Sequence, residues 1–396
     1  MRVERLELVD FRNYRHATLD LAPGVSVLVG PNAQGKTNLL EALHYLAIGG
    51  SHRVATDAPL VRTGAETAVL RTTARFAGGR RVTVELEVRP AGRNRAKVNG
   101  QLQSRTRDAL GIVRSVLFAP EDLQLVRGDP GDRRRFLDDL LLQRRPAYGA
   151  ARQEYERILR QRNALLRGLR AGRQGTEMLP TWTDALVRAG ATLLAARIAA
   201  VHALAGPAAA AYRDLVATAP EQDIGRDVTM EYELSTGRSV TADPHAGVPA
   251  PAELAEELRA GVADVAVAER DRAMTLAGPH RDELFLGVGD LPAKGFASHG
   301  EQWSLALALR LASREVLHEV GEEPVVLLDD VFAELDAGRR RRLADRCTRF
   351  EQVVVTAAVD DDVPLEGPRS FVHAGTLVAA RPSADDGGSA DERGTG

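Results

Sequence analysis

The chain has 396 residues, enough for two or three domains and a large buried core, which excludes a peptide or a small disulfide scaffold. Its 52 basic and 55 acidic residues leave a formal charge of −3, so any surface for a polyanion must be local. A single cysteine, Cys347, excludes an intramolecular disulfide and a cysteine-built metal cage. The opening MRVERLELVD lacks the apolar core of a secretory signal and no uninterrupted apolar run reaches about 18 residues, so a cytoplasmic chain without membrane association is expected. Only Lys36, Lys97 and Lys294 are lysines, and arginine supplies the other 49 basic residues. One arginine therefore carries little information and one lysine carries more.

From Met1 to about Phe118, alternating apolar and polar residues between glycine-bearing turns predict mostly strand. Val25 to Val29 reads as a buried strand, and Leu39, Leu40, Leu43, Leu46 and Ala47 take up helical spacing directly after it. Thr67 to Phe76 and Arg81 to Val88 predict a hairpin about Gly78-Gly79, and Asn99-Gly100 marks another tight turn. Between about Ala147 and Gly172, Tyr155, Ile158, Leu165, Leu166 and Leu169 recur at steps of three and four, predicting a long helix. Trp182, Leu186, Ala189, Leu193 and Ala200 repeat that spacing, so the two helices are expected to pair as a short antiparallel arm.

Val228, Met230, Tyr232 and Leu234 alternate as a strand, helix returns from Pro249, and Asp282 to Val288 reads as strand. Then come a helix from Gly300 to His318, a strand Val325 to Leu328, a helix Ala337 to Phe350 and a strand Val353 to Thr356. This alternation implies an α/β fold whose parallel sheet begins in the first third and is completed in the last. The expected division is 1–118, an inserted and mainly helical 119–279, and 280–381, followed by a disordered tail 382–396 rich in Ser, Ala, Asp and Gly.

Gly30-Pro31-Asn32-Ala33-Gln34-Gly35-Lys36-Thr37 matches GxxxxGK[ST] between a predicted strand and a predicted helix, the setting of a P-loop. Its backbone N–H groups and the helix N-terminus suit phosphate oxygens, Lys36 suits the β and γ phosphates of ATP, and Thr37 suits Mg²⁺. Val325 to Leu328 runs into Asp329 and Asp330, where a Walker B strand places its acids. Asp329 is expected in the Mg²⁺ shell, and Asp330 is expected to orient or deprotonate the attacking water as the catalytic acid-base residue beside Lys36.

Ala297-Ser298-His299-Gly300-Glu301-Gln302 precedes a long amphipathic helix at the position where ABC-type ATPases carry their signature motif. In the geometry that this likeness to ABC-type ATPases implies, Ser298, Gly300 and the helix N-terminus of one subunit would complete the γ-phosphate site of another, so that ATP would join a dimer. Glu334-Leu335-Asp336 would be the D-loop, and Thr356 stands where a switch residue could sense the γ phosphate, though a threonine at a strand end is more often structural.

These and further stretches resemble the RecF family of bacterial recombination-repair ATPases, relatives of the SMC proteins, from Leu6 to about Thr356. The matching residues are Phe11-Arg12-Asn13-Tyr14, the P-loop through Ala42, Ser51-His52-Arg53, Pro120 to Leu123, Gly128-Asp129-Pro130, Arg133-Arg134 to Asp138, Gly278 to Asp282, and Leu327 to Asp336. The resemblance implies an ABC/SMC-type P-loop ATPase head with an inserted helical lobe. It also implies an ATP-dependent homodimer that binds DNA and, with RecO and RecR, helps load RecA at single-stranded gaps and supports the SOS response, with slow DNA-stimulated hydrolysis. Glu301 and Trp303 depart from the commoner pattern of Gln and a basic residue.

From Arg133 to Arg173 twelve arginines face four acidic residues, a basic stripe within an acidic chain. Such a stripe suits salt-sensitive, sequence-independent contact with phosphates of duplex or junction DNA, and Arg133, Arg134, Arg160, Arg167 and Arg170 are the candidate contacts. The other reading is a solvated helix face in an arginine-rich protein. An ABC-transporter ATPase subunit is the alternative function, but the basic arm and the PEDLxLVxG segment have no evident role there.

Overall fold

The computed structural model describes residues 1–172, 176–216, 227–243, 245 and 247–378; Arg173 and the tail 382–396 lie outside them. The first strands and helix are β1 (Arg2–Phe11), β2 (Tyr14–Asp20), β3 (Gly24–Val29), α1 (Lys36–Ile48), β4 (Ala68–Arg75), β5 (Arg81–Val88), β6 (Arg95–Val98) and β7 (Gln101–Leu102). The middle adds β8 (Ser115–Phe118), α2 (Leu123–Arg127), α3 (Pro130–Arg144), α4 (Ala147–Arg170), α5 (Leu179–Val216), β9 (Val228–Glu233) and β10 (Ser239–Thr241). It continues through α6 (Pro251–Asp264), α7 (Ala266–Arg272), β11 (Glu283–Val288), β12 (Leu291–Pro292), α8 (Ala293–Phe296) and α9 (His299–His318). Last come β13 (Val325–Asp329), α10 (Ala337–Cys347), β14 (Gln352–Ala357), β15 (Arg369–His373) and β16 (Thr376–Val378).

Two compact units emerge among the described residues: 1–46, 50–102 and 325–378 form the first, and 47–49 with those between 103 and 324 form the second. The expected boundaries at 118/119 and 279/280 do not follow this division. β8, β11 and α9 group with the inserted helices because α9 packs along α5, a long-range contact that local composition does not register.

In the first unit an antiparallel sheet runs β2-β1-β4-β5-β6-β7. Across β4 and β5, Ala68, Leu70, Thr72 and Ala74 pair with Val88, Leu86, Val84 and Val82 on the buried face, as strict alternation requires. The second sheet of this unit runs β16-β15-β3-β14-β13, with β15, β3, β14 and β13 mutually parallel. Every residue of β13 and β14 is buried, which is why both read as continuous apolar runs rather than alternating ones. Parallel strands direct their C-terminal ends to one edge, and there the loop after β3 meets the ends of β13 and β14. The Gln352 carboxamide ties the two sheets together: it accepts from Val3 N at 2.7 Å and donates to Val3 O at 2.7 Å and Ala22 O at 3.0 Å.

In the second unit the 38-residue α5 is the central element, packed on α4, α6, α9 and β9. The pairing of α4 with α5 follows the sequence reading, but the pair is not a free-standing arm, since α5 buries Leu186, Leu193, Ile198, Val201 and Leu204 in this unit's core. No uninterrupted apolar run of membrane length is present in α5, which Arg188 and Arg197 break, but by length and mean composition the helix would suffice to cross a bilayer. Its apolar stripe is instead covered by neighbouring helices, and Arg197 on it is buried in an ion pair with Asp138 at 2.9 Å. A small sheet, β10-β9-β11-β12, buries Met230, Tyr232, Leu284 and Leu286 on one face.

A second buried pair joins Arg162 of α4 to Glu269 of α7 at 2.5 Å, with side-chain exposures of 2% and 1%; Thr183 and Thr275 accept from the same guanidinium. Removing one partner leaves the other charge buried and unpaired. Arg162→Met should therefore destabilise the protein by about 3–5 kcal/mol in urea unfolding at pH 7. A loss below about 1 kcal/mol, the range of exposed pairs, would show that this contact is not a buried ion pair in solution.

Candidate nucleotide and DNA-binding sites

The loop from Gly30 to Thr37 leaves β3 at its C-terminal end and runs into α1. Gly30 has no room for a side chain: a Cβ there would lie 2.3 Å from Val372 O on β15. Gly35 has φ +115°, and a Cβ would meet Asn13 Nδ2 and Tyr14 Oη at 2.7 Å. The glycines thus serve tight packing of the loop against its supports as well as its curl. Lys36 is buried and its ammonium donates to Gly30 O at 2.7 Å and Pro31 O at 3.1 Å, lying across its own loop.

Thr37 Oγ1 donates to Asp329 Oδ1 at 3.0 Å, joining residues 292 positions apart. Thr356, directly opposite Asp329 in the β13/β14 register, donates to the same oxygen at 2.7 Å and accepts from Asp330 N at 2.9 Å. Asp330 takes a left-handed conformation with φ +50° as the chain turns out of β13. A hydroxyl and a carboxylate within hydrogen-bond reach form a hard-oxygen pair of the kind Mg²⁺ accepts. Thr356, expected to be more often structural than functional, is the group that fixes both acids, through the side chain of one and the backbone of the other.

The structure also gives roles to motif residues for which spacing suggested none. Arg12 of the β1–β2 turn forms a fork onto Glu41 of α1, at 2.8 and 2.6 Å, and Ser51 donates to the same carboxylate at 2.5 Å. Asn13 Nδ2 donates to Gln34 O at 3.0 Å, and the Tyr14 hydroxyl to Gly35 O at 3.0 Å. Arg53 donates to Asn38 Oδ1 at 2.9 Å, and Asn38 in turn to Asn13 Oδ1 at 2.8 Å. From the other side Ala374 N donates to Gln34 Oε1 at 2.6 Å. The FRNY and SHR stretches are therefore supports of the loop. The only local signal was an Arg-Asn pair at a two-residue turn, where Phe11 pairs with Tyr14 and Arg12 has φ +54°. Burial alone would raise the Glu41 carboxyl, but hydrogen bonds from Arg12 and Ser51 outweigh it and hold the group below the usual glutamate range.

In the second unit Ser298 is the N-cap of α9: its Oγ accepts from Glu301 N at 3.3 Å and its N–H donates to Glu301 Oε2 at 2.8 Å. The unusual Glu301 thus closes a capping box. That box uses a lone pair of the Ser298 hydroxyl and leaves its proton to be donated. Gly300 lies in the first turn of the same helix.

The basic stripe contracts. Arg133 is buried and doubly bonded to Glu283 at 2.7 Å, and also donates to Leu125 O and Gly128 O, so it is a structural residue rather than a DNA contact. Arg134 is half-buried, with one nitrogen on Asp282 O at 2.5 Å. Arg162 is in the buried pair already described, and Arg152 and Arg157 neutralise Glu156 and Glu154 one turn away. Arg160, Arg167 and Arg170 are exposed along α4, at helical spacing that keeps them on neighbouring faces.

Comparison with known proteins agrees with this geometry. The model of the RecF/RecN/SMC N-terminal domain matches residues 2–364. The DNA replication and repair protein RecF of Streptomyces avermitilis is 52% identical over 386 residues, 95% of this chain and 99% of that protein. RecF of Kineococcus radiotolerans is 50% identical over 373 residues, 92% and 94% of the two chains. Among solved structures, the recombination mediator protein RecF with ATP, of the RecFOR pathway, superposes with a TM-score of 0.86 at 26% identity over 96% of this chain and 97% of its own. An Smc head bound to the C-terminal winged-helix domain of ScpA shares the fold, with a TM-score of 0.53 at 16% identity over 97% and 98%. The expected fold class stands: an ABC/SMC-type P-loop ATPase head with a mainly helical second lobe.

Because the Glu41 carboxyl is depressed in the folded state, its contribution is full above the unfolded glutamate pKa of about 4.3 and fades as pH falls through the lower folded value. Glu41→Gln should cost about 3 kcal/mol at pH 7 by leaving Arg12 unpaired. In urea unfolding from pH 7 to pH 3, the gap from the unmodified protein should stay constant to about pH 4.5 and then narrow. A gap independent of pH would remove the ionic part of this support.

Proposed function

Since this chain belongs to the RecF family of DNA replication and repair proteins, we propose that it is an ATP-dependent DNA-binding protein of recombinational repair that works as an ATP-gated homodimer. The observation that carries the nucleotide reading is the convergence of Thr37, Asp329, Asp330 and Thr356 at the end of the Gly30–Thr37 loop. The loop N–H groups and the start of α1 receive phosphate oxygens, and Lys36 exchanges its loop carbonyls for the β and γ phosphates. Thr37 and Asp329 would hold Mg²⁺, which neutralises charge on the phosphate oxygens when bound. Asp330, whose backbone N–H is held by the Thr356 hydroxyl, orients the attacking water and accepts its proton.

Ser298, Gly300 and the N-terminus of α9 complete the γ-phosphate site of a second copy, so nucleotide occupancy controls dimerisation and hydrolysis ends it. RecO and RecR, the partners implied by the pathway of the solved relative, then act with the DNA-bound dimer to load RecA at single-stranded gaps and support the SOS response. Slow, DNA-stimulated hydrolysis in the cytoplasm completes this reading. The transporter alternative loses its support, since the relatives are replication and repair proteins.

Lys36→Ala should weaken ATP binding at least tenfold, given roughly 1.5–3 kcal/mol for each charge-assisted hydrogen bond lost, and abolish ATP-dependent dimerisation. Asp330→Asn should instead bind ATP and accumulate as a long-lived dimer in sedimentation, whereas Asp329→Asn should weaken Mg²⁺-ATP engagement. Equal dimer lifetimes for the two aspartate variants would cancel the division of roles.

Arg160, Arg167 and Arg170 remain as DNA contacts, with Arg134 a half-buried candidate beside them. Replacing the three exposed arginines by Glu should lower the slope of log affinity against log salt for duplex DNA by about 0.9 per lost phosphate contact, about 2.7 in all. ATP binding by the monomer should not change. An unaltered slope would return α4 to a solvated helix face.

A further inference from the structure

Residues 120–138 carry much of the family resemblance, yet nothing in the nucleotide chemistry uses them. Their contacts converge on the helix that presents Ser298. Asp122, only 10% exposed, accepts from Arg310 of α9 at 2.6 Å, and the same guanidinium lies 5.4 Å from the ring centroid of Phe136 in α3. The second Asp122 oxygen accepts from Ala119 N at 3.1 Å, which locks the carboxylate to its own turn. At the other end, Lys294, one of three lysines in the chain, donates to Gly128 O at 2.9 Å from the segment that leads into α9. Arg133 donates to that same carbonyl at 3.2 Å and is itself held by Glu283. Gly128 cannot be another residue, since a Cβ would lie 2.4 Å from Gln124 O and 2.5 Å from Asp132 Oδ2.

We propose that this segment is a two-point brace that positions Ser298, with Lys294–Gly128 anchoring the chain four residues before it and Asp122–Arg310 anchoring α9 twelve residues after it. Packing on α5 holds the buried body of α9, and the anchors act on its entry segment and its α2-facing side. The two anchors, with the second about 18 Å along the helix axis, fix both the entry angle of α9 and the direction of its N-terminus. Asp122 and Gly128 flank the two ends of α2, and α2 and the following α3 both pack on α9, so the brace is part of the same compact unit. This inference rests on the reading of Ser298 as a γ-phosphate ligand across the dimer. It makes Asp122, Gly128, Lys294 and Arg310 positioning residues: none is assigned a contact with nucleotide. Misplacing a reacting or binding group by about 1 Å can cost on the order of 100-fold in rate, so a loosened brace should be visible in function before it is visible in stability.

The test uses the full chain with Mg²⁺-ATP. Lys294→Met is the primary variant because Lys294 is exposed and its loss does not threaten folding; Arg310→Gln is the second. Each should lower ATP-dependent dimerisation and hydrolysis at least about tenfold while monomer ATP affinity stays as in the unmodified protein. Amide exchange at Glu301 and Gln302 should accelerate in the nucleotide-free monomer, and Lys294→Arg should restore part of both effects. Ser298→Arg is the control for the underlying reading. If Ser298→Arg blocks dimerisation and both brace variants dimerise and exchange as the unmodified protein does, the brace is overturned and the composite site survives. If Ser298→Arg dimerises normally, the composite-site reading falls and the brace falls with it.

Discussion

Asp329 Oδ1 is the atom on which the candidate nucleotide site converges. It receives the hydroxyl of Thr37 from the start of α1 and the hydroxyl of Thr356 from β14, and Thr356 also holds the backbone of Asp330. Thr37 lies 292 residues from Asp329 and Thr356 27 residues from it, and they meet there because β3, β13 and β14 are parallel and buried, so their C-terminal ends share one edge. Because β13 and β14 are buried on both faces, their apolar pattern does not itself set the register; the observed pairing places Asp329 opposite Thr356.

The second unit relies on ionic contacts placed where water does not reach. Arg197 with Asp138 and Arg162 with Glu269 each join helices that are distant in sequence, and each guanidinium spends its remaining donors on a carbonyl or hydroxyl. Desolvating such pairs is costly, and their Coulomb attraction repays it only when every donor is used. A one-turn slip of α4 or α5 would leave these buried charges unmatched.

Arginine abundance explains the largest difference between the sequence reading and the structure. In a chain with 49 arginines, a count along 133–173 mixes three populations: buried struts such as Arg133 and Arg162, surface partners of nearby acids such as Arg157, and exposed charges such as Arg160 and Arg167. Only the last can neutralise DNA phosphates without first breaking a contact in the fold. Lysine behaved differently, since Lys36 and Lys294 both sit at sites that matter for the nucleotide reading.

Short-range pattern by itself determined the strand, glycine loop and helix around Lys36, the β4–β5 hairpin, the apolar run ending at Asp329, and the long helices α4, α5 and α9. These depend on periodicity and turn chemistry within about twenty residues, which the chain records directly. Only the tertiary structure decided that Thr356 locks both acids, that Arg12, Asn13 and Tyr14 support the loop, that Arg133 is a strut, and that α5 is core rather than arm. Each of those depends on which distant group arrives within about 3 Å of a hydrogen-bonding atom, and that is set by sheet order and helix packing rather than by any local spacing.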